Sequence, residues 1–288
     1  MQMKFKLSAL AGAVALALSA GQAQAQIIPA DFNGDSEMVF SVWDSVRNTG
    51  YTRDLGFFQS TLTPAGVSSQ TGTILNSGGL AMSFSADDLL TQFLADSSAA
   101  GSLGSVLWNL AGADGTGSTA NSRTLLVTAL PTVDQAQIQQ LSTTQLNNLI
   151  STFDGYVSQV NSGTTGTQQT QDNGSNIEVL GDGLGNDQAY AGGGNWGPSF
   201  GSLANFVNAG GLDQGLNFWS LSNPSTVGYK KISATPFLGL GSNPGIWTLA
   251  SNGTLTFAAV PEAETWALLG LGLLGAGAVA RRRGRTLA

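Results

Sequence analysis

Asp31-Phe-Asn33-Gly-Asp35-Ser-Glu37 sets oxygen-bearing side chains at alternate positions around a glycine. A hard cation needs several oxygens converging on a tight turn, which is the chemistry of a calcium loop. The twelve-residue version of that loop requires glycine at position six and glutamate at position twelve. Counted from Asp31 those positions are Ser36 and Val42, so the segment reads as a solvated loop. Gly181-Asp182-Gly183-Leu-Gly185-Asn-Asp187 has the composition of one turn of a calcium-binding roll. One imperfect copy cannot stack into sites, so it reads as a Gly/Asp turn. Asp87-Asp88 precedes an apolar run and reads as a helix cap. A glycoside hydrolase needs two carboxylates about 5–10 Å apart across a cleft. Nothing in the spacing of the acids singles out such a pair. No Ser-x-x-Lys spacing places a serine before Lys230 or Lys231. Trp43, Trp196, Trp219 and Trp247 have the shape to stack on sugars, but tryptophans of this kind belong first to a core.

The residue types that are missing narrow the chemistry further. The 288 residues contain no Cys and no His. That removes disulfides, thiolate nucleophiles, imidazole or thiolate metal sites and the Ser-His-Asp triad. The sequence therefore assigns no catalytic, cofactor-binding or metal-ligating residue, and the chain is expected not to be an enzyme. Hydrophobic residues make up 42% of it, enough for a packed core.

Elements able to hold a site are legible in places. Met38–Trp43 and Tyr51–Leu55 are β-prone and separated by Asn48-Thr-Gly50. Phe57–Leu62 and Gly79–Phe84 are further short strands. Leu89, Leu90, Phe93 and Leu94 lie on one helical face behind Asp87-Asp88. Ser102–Gly112 also shows helical spacing but stays ambiguous, and Ser122–Leu130 returns to strand. A long helix is expected from Thr132 to Val160, since Ile138, Leu141, Leu146, Leu149, Ile150, Phe153 and Val157 keep its period. Ser199–Ala209 reads as a short helix. Leu216–Leu221, Val227–Ala234 and Ile246–Ala250 read as strands, and Asn252-Gly253 turns the last of them into Leu255–Phe257. Strands at both ends around a helical middle predict an α+β fold, a β-sandwich-like body with a helical insertion over residues 26–260.

The two ends read as addresses. Lys4 and Lys6, the apolar stretch Leu7–Ala20 and the Ala23-Gln-Ala25 exit are the three parts of a signal peptide, residues 1–25, cleaved after Ala25. At the other end, Val260-Pro261-Glu262-Ala263-Glu264-Thr265 precedes an apolar run from Trp266 to Ala280 and then Arg281-Arg282-Arg283-Gly284-Arg285. As a helix, 266–280 is about 22 Å long, short of a hydrocarbon core of roughly 30 Å. It reads as a short transmembrane helix that contacts the inner membrane transiently, with its arginines held on the cytoplasmic side. Removing both ends takes the basic residues from 11 to 5 and the acidic ones from 18 to 16, so the body stands near −11. Nucleic acid is not an expected partner of such a body.

This tripartite tail resembles the PEP-CTERM sorting signal of Gram-negative bacteria. Pro261 and Glu262 match its short element, and Ala263 stands where the pattern has a second proline. Arg281, Arg282 and Arg283 match its terminal cluster. The resemblance implies recognition by an exosortase, cleavage near Pro261-Glu262 and delivery beyond the inner membrane to the cell surface or exterior. It further implies association with exopolysaccharide and biofilm. The expected function is a structural or adhesive one at the cell surface or in the extracellular matrix. The alternatives are a secreted carbohydrate-active enzyme using two carboxylates and a calcium-dependent glycan-binding module.

Overall fold

A computed structural model of the chain describes residues 27–30, 34–63, 66–67, 82–162, 174–181, 187–192, 206–237 and 245–259. The strands are β1 (Glu37–Asp44), β2 (Thr49–Phe58), β3 (Leu62–Thr63), β4 (Gly66–Val67), β5 (Met82–Phe84), β6 (Val106–Asp114), β7 (Thr124–Ala129), β8 (Ser175–Val179), β9 (Gly210–Gly211), β10 (Gly215–Ser222), β11 (Ser233–Pro236), β12 (Gly245–Leu249) and β13 (Leu255–Ala259). Among the described residues three α-helices join them: α1 (Asp88–Ala99), α2 (Gln135–Ile138) and α3 (Thr143–Ser162).

Eleven strands form one sheet in the order β5-β13-β12-β10-β7-β6-β1-β2-β8, with β11 beside β10 and β9 beside β6. Every pairing is antiparallel. β10 gives Gly215–Asn217 to β12 and Trp219–Ser222 to β11 along one edge, while β7 pairs with its other edge. The sheet forks there. It also curls, because Phe57 on β2 stacks on Phe84 of the far edge strand β5, with ring centroids 6.0 Å apart. The body is thus mostly β, and the expected sandwich is a single sheet bent over its own face.

Side-chain alternation sends the two faces to different cores. Met38, Phe40 and Val42 of β1, with Val106, Trp108 and Leu110 of β6, point into the concave core. Val39 and Trp43, with Ala111 and Ala113, point to the opposite face, which α3 covers with Leu146, Leu149, Ile150, Phe153, Tyr156, Val157 and Val160.

The helices obey local chemistry. Asp87 caps α1 by accepting from the Leu90 N–H at 2.8 Å, and Asp88 follows in the first turn. Its apolar face is Leu89, Leu90, Phe93 and Leu94, all buried. It ends at Gly101, whose φ of +70° lets the Ser102 N–H reach the Ser97 carbonyl and its own N–H reach Ser98. The helix expected over Thr132–Val160 is broken in two. Ser142 and Gln145 form a reciprocal capping box, Ser142 N–H to Gln145 Oε1 at 2.9 Å and Gln145 N–H to Ser142 Oγ at 3.3 Å, which starts α3 afresh.

One ambiguous stretch is decided and two further expectations are corrected. Ser102–Gly112 is not helical: a short 3₁₀ turn at Leu103–Ser105 leads into β6, which is buried on both faces and so lacks plain alternation. Val227–Ala234 is a loop up to Ile232, with β11 beginning only at Ser233, because the loop's backbone bonds go to Thr143 and Thr144 instead of to a strand. Of Ser199–Ala209 only Phe206–Ala209 is described, and it is not helical. The signal segment 1–25 and the apolar run 266–280 lie outside the described residues. Among the described residues no helix is long and apolar enough to cross a membrane.

Candidate functional site

Where the β6–β7 connection meets the start of α3, a cavity of about 180 Å³ opens between Gly117, Ser118, Arg123, Thr143, Asn147, Asn223 and Thr226. Arg123 and Asn223 are fixed to each other: the Arg123 N–H donates to Asn223 Oδ1 at 3.0 Å, and the Asn223 N–H to the Arg123 carbonyl at 3.3 Å. The Arg123 side chain is anchored by Nε, which donates to the Gly117 carbonyl at 3.1 Å. Thr143 is seated by its N–H on the Lys230 carbonyl at 2.8 Å, so the 223–232 loop forms one wall against α3. No carboxylate lines this cavity. An arginine with two polar amides and two threonines can bind a hydroxylated anion; it offers no general base for hydrolysis.

Carboxyl groups gather elsewhere. Asp54 on β2 is buried, and its carboxyl is pushed up to about 7 by burial, then by the neighbouring charge of Glu37, with which it shares a hydrogen bond. The Gly56 N–H donates to Asp54 Oδ1 at 2.7 Å. Glu37 Oε2 in turn accepts from the Ile28 N–H at 2.8 Å, and the Glu37 N–H donates to the Ile28 carbonyl at 3.2 Å. Asn161 at the end of α3 grips Ile27 through both its N–H and its carbonyl, at 2.9 and 2.7 Å. The pair therefore ties the first described residues to the sheet. It acts as a latch, with Asp54 buried and Glu37 half-buried.

The calcium-like segments are partly described. Asp31 and Asn33 lie outside the described residues, while Asp35 accepts from the Ser60 N–H at 3.0 Å and from the Ser60 hydroxyl. Asp182 lies outside them too, while Asp187 Oδ1 accepts from the Gly181 N–H at 2.7 Å and closes its own turn. Among the described residues no three Asp or Glu side chains converge as a metal site. Asp87 does cap its helix as expected, and it additionally accepts from the Tyr51 hydroxyl at 2.9 Å, with Arg53 Nε 3.9 Å away. Burial, then the Asp87 charge, raises the Tyr51 phenol well above its ordinary value. Trp43, Trp219 and Trp247 are buried in the two cores, and Trp196 is not among the described residues.

Sequence reasoning missed the cavity altogether. Its lining comes from four separate stretches of chain, all small and polar except Arg123, so no local pattern marks it. The one available signal was Arg123 itself, an isolated cation in an acidic body.

The residues expected to carry sorting lie outside the described residues: Ala23 and Ala25 at one end, Pro261, Glu262, Arg281, Arg282 and Arg283 at the other. The sheet nevertheless shows where the tail departs, since β13 ends at Ala259, paired with Gly245. Neither the curated proteins nor the solved structures contain a match to this chain. Residues 259–283 match the PEP-CTERM protein-sorting motif, beginning on the last residue of that strand. The chain accordingly carries at its C-terminus the PEP-CTERM sorting motif, which supports export and processing by an exosortase from an anchored precursor.

Proposed function

We propose that the body is a non-enzymatic component of the cell surface or extracellular matrix, structural or adhesive in role and associated with exopolysaccharide. The observation that carries this reading is the sorting motif at 259–283, joined directly to the last strand of a folded, acidic body. The non-enzymatic part is supported by the chemistry available. With neither Cys nor His, catalysis would fall to carboxylates, hydroxyls, Tyr or Lys. The carboxyl of raised pKa, Asp54, is engaged with Glu37 and Gly56 inside the protein.

Deleting residues 261–288 should release the body into the periplasm. Replacing Arg281, Arg282 and Arg283 by glutamine should leave unsorted precursor. The processed wild-type protein should co-sediment with the producing strain's exopolysaccharide and hydrolyse none of a panel of polysaccharides, esters and peptides. Turnover of a glycan, lost on changing one Asp to Asn, would replace this reading with that of a carbohydrate-active enzyme.

A further inference from the structure

The body holds five basic residues: Arg47, Arg53, Arg123, Lys230 and Lys231. Two arginines are matched to carboxylates, Arg47 to Asp96 at 3.4 Å and Arg53 to Asp87 at 3.9 Å. Arg123 is not. Among the described residues no acid pairs with it, and beyond the Nε bond to Gly117 its two Nη groups have no bonded partner. Lys230 and Lys231 lie on the same 223–232 loop that supplies Asn223 and Thr226 to the cavity. Lys231 Nζ donates to the Gln140 carbonyl, so Arg123 is the cation that lines this small polar hollow in a body near −11.

One more feature bears on the kind of ligand. Tyr229, at the tip of the same loop, is 78% exposed, and Lys230 Nζ lies 5.5 Å from its ring centroid. An aromatic ring this open beside a cation is suited to the face of a sugar. The volume of 180 Å³ is below the ~300 Å³ of a drug-sized site, so it admits a single ring.

We propose that this cavity is a subsite for an acidic sugar, a uronate unit of a polysaccharide. Its carboxylate is taken by the Arg123 Nη groups, which match it in a bidentate fork. Tyr229, on the loop that forms one wall, receives the face of the neighbouring sugar. The choice of a glycan rests on the adhesive reading above; the demand for an anion comes from Arg123 and its cavity.

The test is titration of the full chain in detergent with D-glucuronate, D-glucose, sodium sulfate and a glucuronate tetramer, followed by ligand-observed NMR. Glucuronate should bind with a Kd on the order of millimolar, at least tenfold tighter than glucose or sulfate. Arg123→Gln should weaken it about tenfold or more without lowering the melting temperature. Should that variant fold poorly, Thr226→Trp, at an exposed position on the rim, should block the monosaccharide equally. Tyr229→Ala should weaken the tetramer and leave the monosaccharide unchanged. Glucuronate binding no better than glucose, or unaltered in a folded Arg123→Gln or Thr226→Trp protein, overturns the subsite. Sulfate binding as tightly as glucuronate also overturns it, leaving an anion site only. Co-sedimentation with exopolysaccharide that survives Arg123→Gln would refute the subsite while keeping the adhesive reading. Glucuronate binding without co-sedimentation would do the reverse.

Discussion

The two faces of the sheet are filled by opposite means. Toward the concave side point Phe40, Tyr51, Phe57, Trp108, Phe218, Trp247 and Phe257, joined by Phe93 and Phe237. Trp247 alone lies within 6.2 Å of the rings of Phe84, Phe218 and Phe257. Toward α3 point Val39, Ala111, Ala113, Val127 and Ala129, with Trp43 and Trp219 in the same cluster, and with them buried polar groups: Ser41, Thr52, Asp54 and Asn109. A sheet bending over itself encloses a wide interior that only large rings fill. A helix lying flat on a sheet needs small residues beneath it, and short side chains leave room for hydroxyls. The Tyr156 hydroxyl of α3 accordingly lies 3.2 Å from Ser41 Oγ and 2.5 Å from Thr52 Oγ1. Burial pushes that phenol up to about 12, so it stays a neutral hydrogen-bonding group.

Mutations can break this contrast. Trp247→Ala is expected to be the most damaging, costing about 4 kcal/mol in urea unfolding of the processed protein, because it removes a fully buried ring packed against three others. A loss smaller than that of Leu149→Ala on the helix face, expected at about 3 kcal/mol, would erase the distinction. On the helix side the vulnerable direction is enlargement. Ala113→Leu should cost roughly 2 kcal/mol by lifting α3, with the helical circular dichroism signal retained.

The polar content of the helix face gives a pH-dependent test. The Asp54 carboxyl titrates near 7 in the folded protein, against 3.8 as its ordinary value. The folded state therefore binds the extra proton, and stability falls as pH rises through the window from about 4 to about 7. Asp54→Asn keeps an acceptor for the Gly56 N–H and supplies a donor to Glu37. It should stabilise the protein by roughly 2 kcal/mol at pH 8 and leave it unchanged at pH 4, read from melting temperatures across that range. An equal effect at both pH values would mean the carboxyl is not held protonated. The smallest effect expected is that of Tyr156→Phe, about 1 kcal/mol, since the Ser41 and Thr52 hydroxyls lose a shared partner while the ring stays packed.

The same contrast governs what the sequence revealed. Where one face is wet, as at Ile246 and Thr248 of β12, residues alternate plainly and the strand and its Asn252-Gly253 turn are legible; Gly253 holds φ at +84° as such a turn requires. Where both faces are dry, as in β6, apolar residues fall at helical and strand spacings together, and only the partner strands decide. Asp87 marked the start of α1 by chemistry that acts within one turn. Ser142 and Gln145 carried an equally local signal, but the apolar period running across them concealed it. The loop from Val227 to Ile232 looked like a strand because its composition is β-prone, yet its hydrogen bonds go to the start of α3. A cavity assembled from residues 117, 123, 143, 147, 223 and 226 has no local signature at all. Neither does the Asp54–Glu37 contact, which requires the register of β1 against β2, and that register shifts between Glu37 and Val39.

The attachment of the sorting tail to β13 sets how the body bears load. β13 is flanked on both sides, by β12 across Gly245–Leu249 and by β5 across Met82–Phe84. Tension applied through the C-terminus runs along the strand axis, at right angles to its ladder bonds, so both ladders are sheared together instead of being unzipped one bond at a time. In the anchored precursor the first element to resist a tug is therefore a strand paired on both sides. Force is then passed through Phe257 and Trp247 into the aromatic core and not into α3. A body tethered in this way would keep the Arg123 cavity and its loop, on the far side of β10, out of the path of the strain.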